Sequence, residues 1–303
     1  MGVLLAFIAM LCWGLGDFLI QKSVRRSGTL GKKLIAFFLF KNNQENTTWI
    51  VLFYICAFGS LVLTPFAWRE IGQLDWIDMG LLLAVGLLIL ASALLDFKTL
   101  KVGKISVVEP IFAGEIPAVL ILTSLFLNED VSWQQYILIL VLIVGILLVT
   151  IKNFSGGKNF ILEKGVGLAV AATIGMGAGD FLLGLGARTV SPVMANWFLN
   201  VVVTLATLVF LATSGQIRNT WQYAQENKKL IFFTCFFDNL AWVAYAYSMT
   251  FLPIVIATAI SENYIAFGAL LGFVYNKEKL SPYQWAGLVI AMATWTILAF
   301  TVS

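Results

Sequence analysis

Residues 14–19 read Gly-Leu-Gly-Asp-Phe-Leu and residues 177–182 read Gly-Ala-Gly-Asp-Phe-Leu, so one short motif occurs twice, 163 positions apart. Each copy lies late in a long apolar stretch, and its aspartate, Asp17 or Asp180, falls where the interior of a bilayer is expected. Carboxylates at that depth are costly and mark proton, ion or substrate sites. The duplication indicates that the chain consists of two related halves.

The composition is that of a membrane protein with several spans. Of the 303 residues, 60% are hydrophobic and 12% are charged, and the mean hydropathy is +0.92, whereas soluble domains carry roughly 25% charged residues. The lack of histidine excludes histidine-based catalysis, proton relay and metal binding. The three cysteines have no metal-ligand spacing, and no Walker loop or nucleophile elbow occurs. We therefore expect no metal, no cofactor, no enzymatic activity and no nucleic-acid partner.

Length and flanking breaks divide the chain into ten predicted membrane spans, so the expected fold class is an all-α integral membrane protein. Each span offers about 20 residues, enough for a helix to cross about 30 Å of hydrocarbon. The predicted spans, numbered 1 to 10, cover residues 2–21, 48–68, 77–97, 104–127, 133–151, 165–187, 192–213, 229–250, 253–276 and 281–301.

The two halves match beyond the aspartate motif. The stretch Gly2-Val3-x-Leu5-Ala6 recurs 163 positions later, and residues 128–135 correspond to residues 277–284 at an offset of 149. The first half is therefore longer by 14 residues. We expect the surplus within residues 22–47, either as a basic amphipathic segment on the membrane surface or as a disordered loop.

The duplication predicts two five-helix repeats, one over residues 1–152 and one over residues 165–303. Because five is an odd number, the second repeat must enter the bilayer from the opposite side. Inverted repeats of this kind place a substrate site near the midplane, where the two repeats meet.

The chain resembles the drug/metabolite transporter superfamily, specifically its EamA-type members. The resemblance rests on the pair Trp13-Gly14 in the first span, on short hairpins at Glu129 and Glu278, and on the five-plus-five arrangement. It covers essentially the whole chain and implies a ten-helix transporter of small polar or amphipathic metabolites. It also implies a central cavity lined by spans 1, 3, 4, 6, 8 and 9, and Trp13 joins the candidate site residues.

Lysine and arginine are distributed unequally between the two sides. Of the 19 residues, 17 fall in the loops after spans 1, 3, 5, 7 and 9, and only Arg69 and Arg188 fall elsewhere. By the positive-inside rule the richer side is cytoplasmic, so we predict a cell-membrane protein with both termini outside the cytoplasm. The resemblance implies the opposite orientation, because transporters of that family usually keep both termini in the cytoplasm.

Asp17 and Asp180 are the first candidates for proton or substrate contact. Each has glycines at positions −1 and −3, which allow a neighbouring backbone to approach closely. A carboxyl group in such crowded surroundings suits a reversible proton carrier. The alternative is that each lies near its helix end and reaches water, because Lys22 and Arg188 follow within eight residues.

Glu115 and Glu262 occupy matching depths in spans 4 and 9. Pro117 loosens the backbone beside Glu115, as in the broken helices of transporter sites. Asn263 and Tyr264 add hydrogen-bonding groups beside Glu262. The alternative for both acids is a structural hydrogen bond between helices.

Span 8 carries a further candidate stripe. Asp238, Trp242 and Tyr245 lie at i, i+4 and i+7, on one helix face, and Asn239 follows the aspartate. A carboxylate with two aromatic rings can hold a cationic or aromatic solute, although a core-facing stripe with one satisfied aspartate explains the pattern equally well.

Four further polar residues favour structural roles or stay open. Asn196 and Asn200 lie at i and i+4 and can line the same cavity, although we favour a role in joining helices. We expect Asp96 to pair at the interface with nearby lysines. Glu109 is a site candidate but also stands five residues after Lys104, with which it can pair.

These patterns favour a secondary active transporter that exports a small metabolite, such as an amino acid or an amine-bearing solute, by alternating access with proton coupling. The plausible interior residues include six acids and no lysine or arginine, which favours a proton, a cation or an amine over a phosphate. The alternative is a flippase for lipids or lipid-linked carriers. The expected partners are the bilayer and the solute, with the chain a monomer or homodimer.

Overall fold

The computed structural model describes residues 1–26, 46–127, 132–153, 161–262, 264–277 and 279–301, which are helical almost throughout. The helices are α1 (Gly2–Arg26), α2 (Asn46–Ala67), α3 (Trp76–Val102), α4 (Ile105–Phe112), α5 (Glu115–Phe126), α6 (Trp133–Thr150), α7 (Val166–Thr189), α8 (Pro192–Thr213), α9 (Ile217–Glu226), α10 (Lys228–Phe251), α11 (Ile254–Ser261), α12 (Tyr264–Tyr275) and α13 (Pro282–Thr301). A 3₁₀ turn covers Ile71–Gln73, and a short antiparallel pair joins β1 (Ile151–Asn153) to β2 (Ile161–Leu162).

Seven helical segments of the described residues are long and apolar enough to cross a membrane. Helices α6, α11 with α12, and α13 occupy predicted spans 5, 9 and 10 and are not among the seven. Large apolar side chains such as Leu61 and Ile77 are more than three-quarters exposed, as a lipid-facing surface requires. The chain is therefore a multi-pass, all-helical membrane protein. The seven segments are Gly2–Arg25, Thr47–Ala67, Trp76–Val102, Ile105–Phe126, Val166–Thr189, Pro192–Thr213 and Lys228–Phe251.

Predicted spans 4 and 9 are each interrupted near the middle. Span 4 is divided between α4 and α5 at Ala113 and Gly114, because Pro117 has no N–H to donate back to the preceding turn. The Gly114 N–H donates to the carbonyl of Ile111 at 3.0 Å, the tighter pattern of a 3₁₀ turn. Span 9 is divided between α11 and α12 at Glu262. The two interruptions place Glu115 and Glu262 at helix junctions.

Helices from the two halves pack in antiparallel pairs. Helix α1 packs on α10 and α7 packs on α3, while α2 packs on α8 and α6 packs on α13. Small residues make these contacts close: a Cβ added to Gly175 would lie 2.2 Å from the Ser92 hydroxyl, and one added to Gly145 would lie 2.8 Å from the Ala291 nitrogen. If each helix is replaced by its counterpart in the other half, the α1–α10 pair becomes the α7–α3 pair. The same replacement leaves the α2–α8 pair and the α6–α13 pair unchanged.

The first helix extends beyond its predicted end. Residues 22–26 continue α1 and do not begin a surface segment, so that part of the prediction is wrong; residues 27–45 lie outside the described part of the chain. The short helix α9 is held by two tyrosines: Tyr223 donates to the Ser23 carbonyl at 2.6 Å, and Tyr54 donates to the Thr220 carbonyl at 2.8 Å.

Candidate functional site

A central cavity lies between the helices of the two halves and encloses about 810 Å³ of empty space, including the part that opens to the outside. The sequence resemblance implied a lining from spans 1, 3, 4, 6, 8 and 9. The observed lining also includes residues of α2 and α8, which are the helices of predicted spans 2 and 7. The lining residues are Trp13, Asp17, Ile20, Leu52, Ile55, Cys56, Ile89, Ala93, Asp96, Phe97, Phe112, Glu115, Met176, Asp180, Leu199, Asn200, Val203, Asp238, Trp242, Glu262 and Tyr264.

Six carboxyl groups line this cavity, and no lysine or arginine lines it among the described residues. They form two sets. Asp17, Asp96 and Asp238 interact electrostatically with one another and are called the Asp17 group, while Asp17 also interacts with Glu262 and Asp96 with Glu115. Glu115, Asp180 and Glu262 form the Glu115 cluster, in which one oxygen of each carboxyl lies within 4.8 Å of the others. The lining thus concentrates acidic groups and, in the described part of the chain, contains no basic side chain.

The two motif aspartates are both buried and both reach the cavity, although they belong to different sets. Neither basic neighbour competes with this placement: the guanidinium of Arg188 donates to the carbonyls of Met249 and Leu252, and the ammonium of Lys22 lies 4.2 Å from the centre of the Phe18 ring. The alternative in which the aspartates reach water at their helix ends is therefore not supported.

The glycines of the motif act differently in the two copies. A Cβ added to Gly179 would lie 2.3 Å from Ile89, and one added to Gly177 would lie 2.7 Å from Ala118. At Gly16 the nearest atom would be 3.9 Å away, so alanine fits there. Close approach is required beside Asp180 and is not required at Gly16.

Glu115 and Glu262 meet because the two helix interruptions face each other across the cavity. Glu115 is the first residue of α5, where the helix N-terminus favours a carboxylate. Its carboxyl group lies beside that of Asp180, with one oxygen of each within 4.8 Å. Tyr264 begins α12 and lines the same cavity. The fourth candidate of this region, Asn263, lies outside the described residues.

The predicted stripe on α10 is divided between cavity and core. Asp238 and Trp242 line the cavity. Tyr245 is fully buried, and its hydroxyl lies 2.6 Å from that of Thr258. Asn239 donates to the carbonyl of Ile55 in α2 and, within α10, to that of Cys235. Half of this candidate set therefore joins helices and does not line the cavity.

Trp13 connects the aromatic residues of the site. Its ring centre lies 5.3 Å from that of Trp242, 4.9 Å from that of Tyr245 and 5.8 Å from that of Tyr264. These contacts join α1, α10 and α12 beside the acids. The sequence offered Trp13 only through a family motif and gave no sign of the three-way contact.

Two acidic residues differ from their expected placement. Asp96 lines the cavity, and one of its oxygens has no hydrogen-bond partner among the described residues, so the prediction of an interfacial ion pair is wrong. Glu109 is fully buried in α4 and is not part of the lining. Lys104, its expected partner, pairs instead with Glu163 at 2.9 Å. Lys98 and Lys101 follow Asp96 closely in the sequence, and they suggested an ion pair rather than a position in the cavity lining.

Asn200 lines the cavity, which was the alternative to the favoured role of joining helices. It does both, because its Nδ2 atom donates to Asn239 Oδ1 at 3.3 Å while the residue also lines the cavity. Asn196 donates within its own helix to the carbonyl of Pro192. No pattern in α8 distinguishes the two asparagines, which lie one turn apart.

A multi-pass helical bundle around an acidic cavity defines a class of membrane proteins that bind solutes within the bilayer. The family model described as "EamA-like transporter family" matches residues 1–151 and 163–300. The chain therefore belongs to the EamA-like transporter family, a family of membrane transporters in the drug/metabolite transporter superfamily, as the resemblance implied.

Other comparisons add only the fold. The chain matches no curated protein. One solved structure, described only as a crystal structure of a protein, has 13% sequence identity and a TM-score of 0.62, over 100% of this chain and 98% of the other.

Proposed function

We propose that this transporter is a secondary active exporter of a small amine-bearing solute, such as an amino acid, and that it works by alternating access with proton coupling. The observation that carries the proposal is the cavity with six carboxyl groups and no lining lysine or arginine among the described residues. A positively charged group entering it is attracted by carboxylates that have little water to screen them.

The solute contacts proposed here are the Asp17 group and the aromatic rings beside it. A carboxylate of Asp17, Asp96 or Asp238 pairs with an ammonium group, while Trp13 and Trp242 offer ring faces to the same cation. A solute that carries a carboxylate or phosphate and no amine would meet only repulsion from these acids, which is why an amine-bearing solute is the preferred class.

Proton coupling is supported by the Glu115 cluster. Two carboxyl groups this close repel each other unless one of them carries a proton, and Glu115, Asp180 and Glu262 each have an oxygen within 4.8 Å of the others. Loss of that proton leaves two adjacent negative charges, which a cation or a new proton relieves. Solute binding is thereby coupled to protons, which either compete with the solute or bind together with it. The residues that exchange these protons are Glu115, Asp180, Glu262 and Asp17.

The architecture proposed is ten membrane helices in two inverted five-helix repeats that rock around the cavity. The exchange symmetry of the helix pairs supports it, as do the two segments matched by the family model, which agree closely with residues 1–152 and 165–303. On the lysine and arginine count we place both termini outside the cytoplasm. The transporter works in this scheme as a monomer or homodimer.

The test is solute flux in proteoliposomes with an imposed pH gradient, using radiolabelled amino acids and amines beside matched carboxylates, and a trapped pH-sensitive dye. We expect amine-dependent proton movement that is lost when Asp17→Asn is combined with Asp180→Asn. Glu70→Gln, outside the cavity lining, serves as the matched control. Normal coupled flux in the double variant, or transport of the carboxylates alone, would refute the proposal.

The alternative, a flippase for lipids, has less support. Most lipid headgroups carry phosphate, and an acidic cavity without a lining lysine or arginine in the described chain repels it. A headgroup-labelled phospholipid in the same vesicles tests this alternative, because flipping at rates matching amine flux would favour it.

A further inference from the structure

The Glu115 cluster brings together three carboxyl groups from separate parts of the chain. Glu115 begins α5, Asp180 lies in α7, and Glu262 follows the end of α11. Their exposed fractions are 7%, 3% and 2%, and one oxygen of each lies within 4.8 Å of the others. Such proximity is repulsive unless a positive charge or protons are shared.

A second observation points to a ligand. The Oε2 atom of Glu262 is buried and has no hydrogen-bond partner among the described residues. Buried carboxylate oxygens are normally satisfied, and an unsatisfied one requires an explanation such as a water or an ion. Glu262 lines the cavity together with Glu115 and Asp180, so the oxygen belongs to the same confined space.

The donor chemistry selects the kind of ion. Three carboxylates are hard oxygen donors, which suit Mg²⁺, Mn²⁺ and Ca²⁺ rather than soft metals. An ion with metal–oxygen distances of about 2.1–2.4 Å holds opposite ligands no more than about 4.8 Å apart. The three carboxylate oxygens, which all lie within 4.8 Å of one another, are close enough to share one such ion, and water molecules from the cavity would complete the coordination.

We propose that Glu115, Asp180 and Glu262 form a binding site for one hard divalent cation, in competition with protons. The sequence predicted no metal site, because without histidine or clustered cysteine no ligand spacing was visible. The proposal deepens the proposed function, since a role for this ion in coupling rests on transport. The Asp17 group remains available to the solute.

The test measures Mn²⁺ binding to the purified full chain in phosphatidylcholine nanodiscs, by electron paramagnetic resonance of free Mn²⁺. We expect saturable binding of one Mn²⁺ per chain at pH 8, weakening as the pH falls because protons compete for the same oxygens. Glu262→Gln, which keeps the side-chain size, weakens binding at least about tenfold, as does Asp180→Asn. Thermal unfolding checks that each variant is folded, and the second variant serves if the first is not.

The control is Glu70→Gln, an acid outside the cavity lining that accepts a hydrogen bond from Ser191. It leaves Mn²⁺ affinity within about twofold, because Glu70 is not among the carboxyl groups of the cluster or the cavity lining. Absence of saturable binding to folded wild-type protein, or equal affinity in Glu262→Gln and wild type, overturns the proposal. Amine flux without Mn²⁺ binding refutes this site alone, whereas Mn²⁺ binding without any solute flux refutes the proposed transport alone.

Discussion

The substitution Gly59→Ala tests the packing that holds one wall of the cavity. A Cβ at position 59 would lie 2.0 Å from Asn239 Oδ1 and 2.5 Å from Asn200 Nδ2, so the amide pair between α8 and α10 must move. That pair is itself bonded at 3.3 Å, and Asn239 also donates to the Ile55 carbonyl at 3.0 Å. Asp238, a proposed solute contact, is the residue preceding Asn239.

The magnitude follows from three contributions. Overpacking at a site without room costs about 1–3 kcal/mol. A lost interhelical hydrogen bond in a membrane protein costs about 0.6–1.7 kcal/mol. Alanine recovers about 0.5–1 kcal/mol of helix propensity relative to glycine. We expect Gly59→Ala to lower the free energy of unfolding by about 2–3 kcal/mol, and coupled solute flux to fall with it.

The measurement is the midpoint of unfolding by SDS in mixed micelles, followed by tryptophan fluorescence. Gly80→Ala is the matched control, because it adds the same methyl group in α3 where nothing lies within 4 Å. We expect this control to be neutral or slightly stabilising. Equal stability of the two variants would show that the amide pair does not occupy the space described, and the reasoning would fail.

Three further predictions concern single side chains. Asp238→Asn should reduce amine flux at least about tenfold with little change in the unfolding midpoint, since it removes a charge and keeps the shape; unchanged flux contradicts its role in binding. Tyr245→Phe should lower the free energy of unfolding in SDS by about 1 kcal/mol, because it removes the hydroxyl that lies 2.6 Å from that of Thr258. A loss of flux without destabilisation would contradict a purely structural role. Glu163→Gln should change stability by less than about 1 kcal/mol at any salt concentration, because its partner Lys104 is 37% exposed; a larger loss would show that this pair closes one end of the bundle.

Much of the helical architecture was readable from hydropathy and length. Long apolar stretches must be helical in lipid, because every backbone group needs an internal partner. The interruption of span 4 was expected from Pro117, but nothing in the sequence of span 9 marks the equivalent interruption at Glu262. The predicted ends of the helices were less accurate, since residues 22–26 continue α1 as a regular helix beyond the predicted end of span 1.

The candidate site was only partly predictable for a related reason. Buried acids were identified by their depth in apolar stretches, and this criterion found five of the six that line the cavity. It missed Asp96, whose neighbouring lysines suggested a position at the membrane interface. It also included Glu109, which is buried but does not line the cavity. Depth along a helix is visible in a sequence, whereas the direction in which a side chain points depends on how neighbouring helices pack.

The sequence by itself determined that this is a multi-pass helical protein of the EamA-like transporter family, with repeated halves and buried acids in a chain without histidine. The length of the apolar stretches and the repeated motif are local properties of the sequence. They can be recognised without knowing how the helices pack. Only the tertiary structure decided that Asp17 and Asp180 belong to different groups, and that Glu115 meets Glu262. Those pairings depend on helix rotation and on the antiparallel contacts of the two halves, which no local pattern specifies.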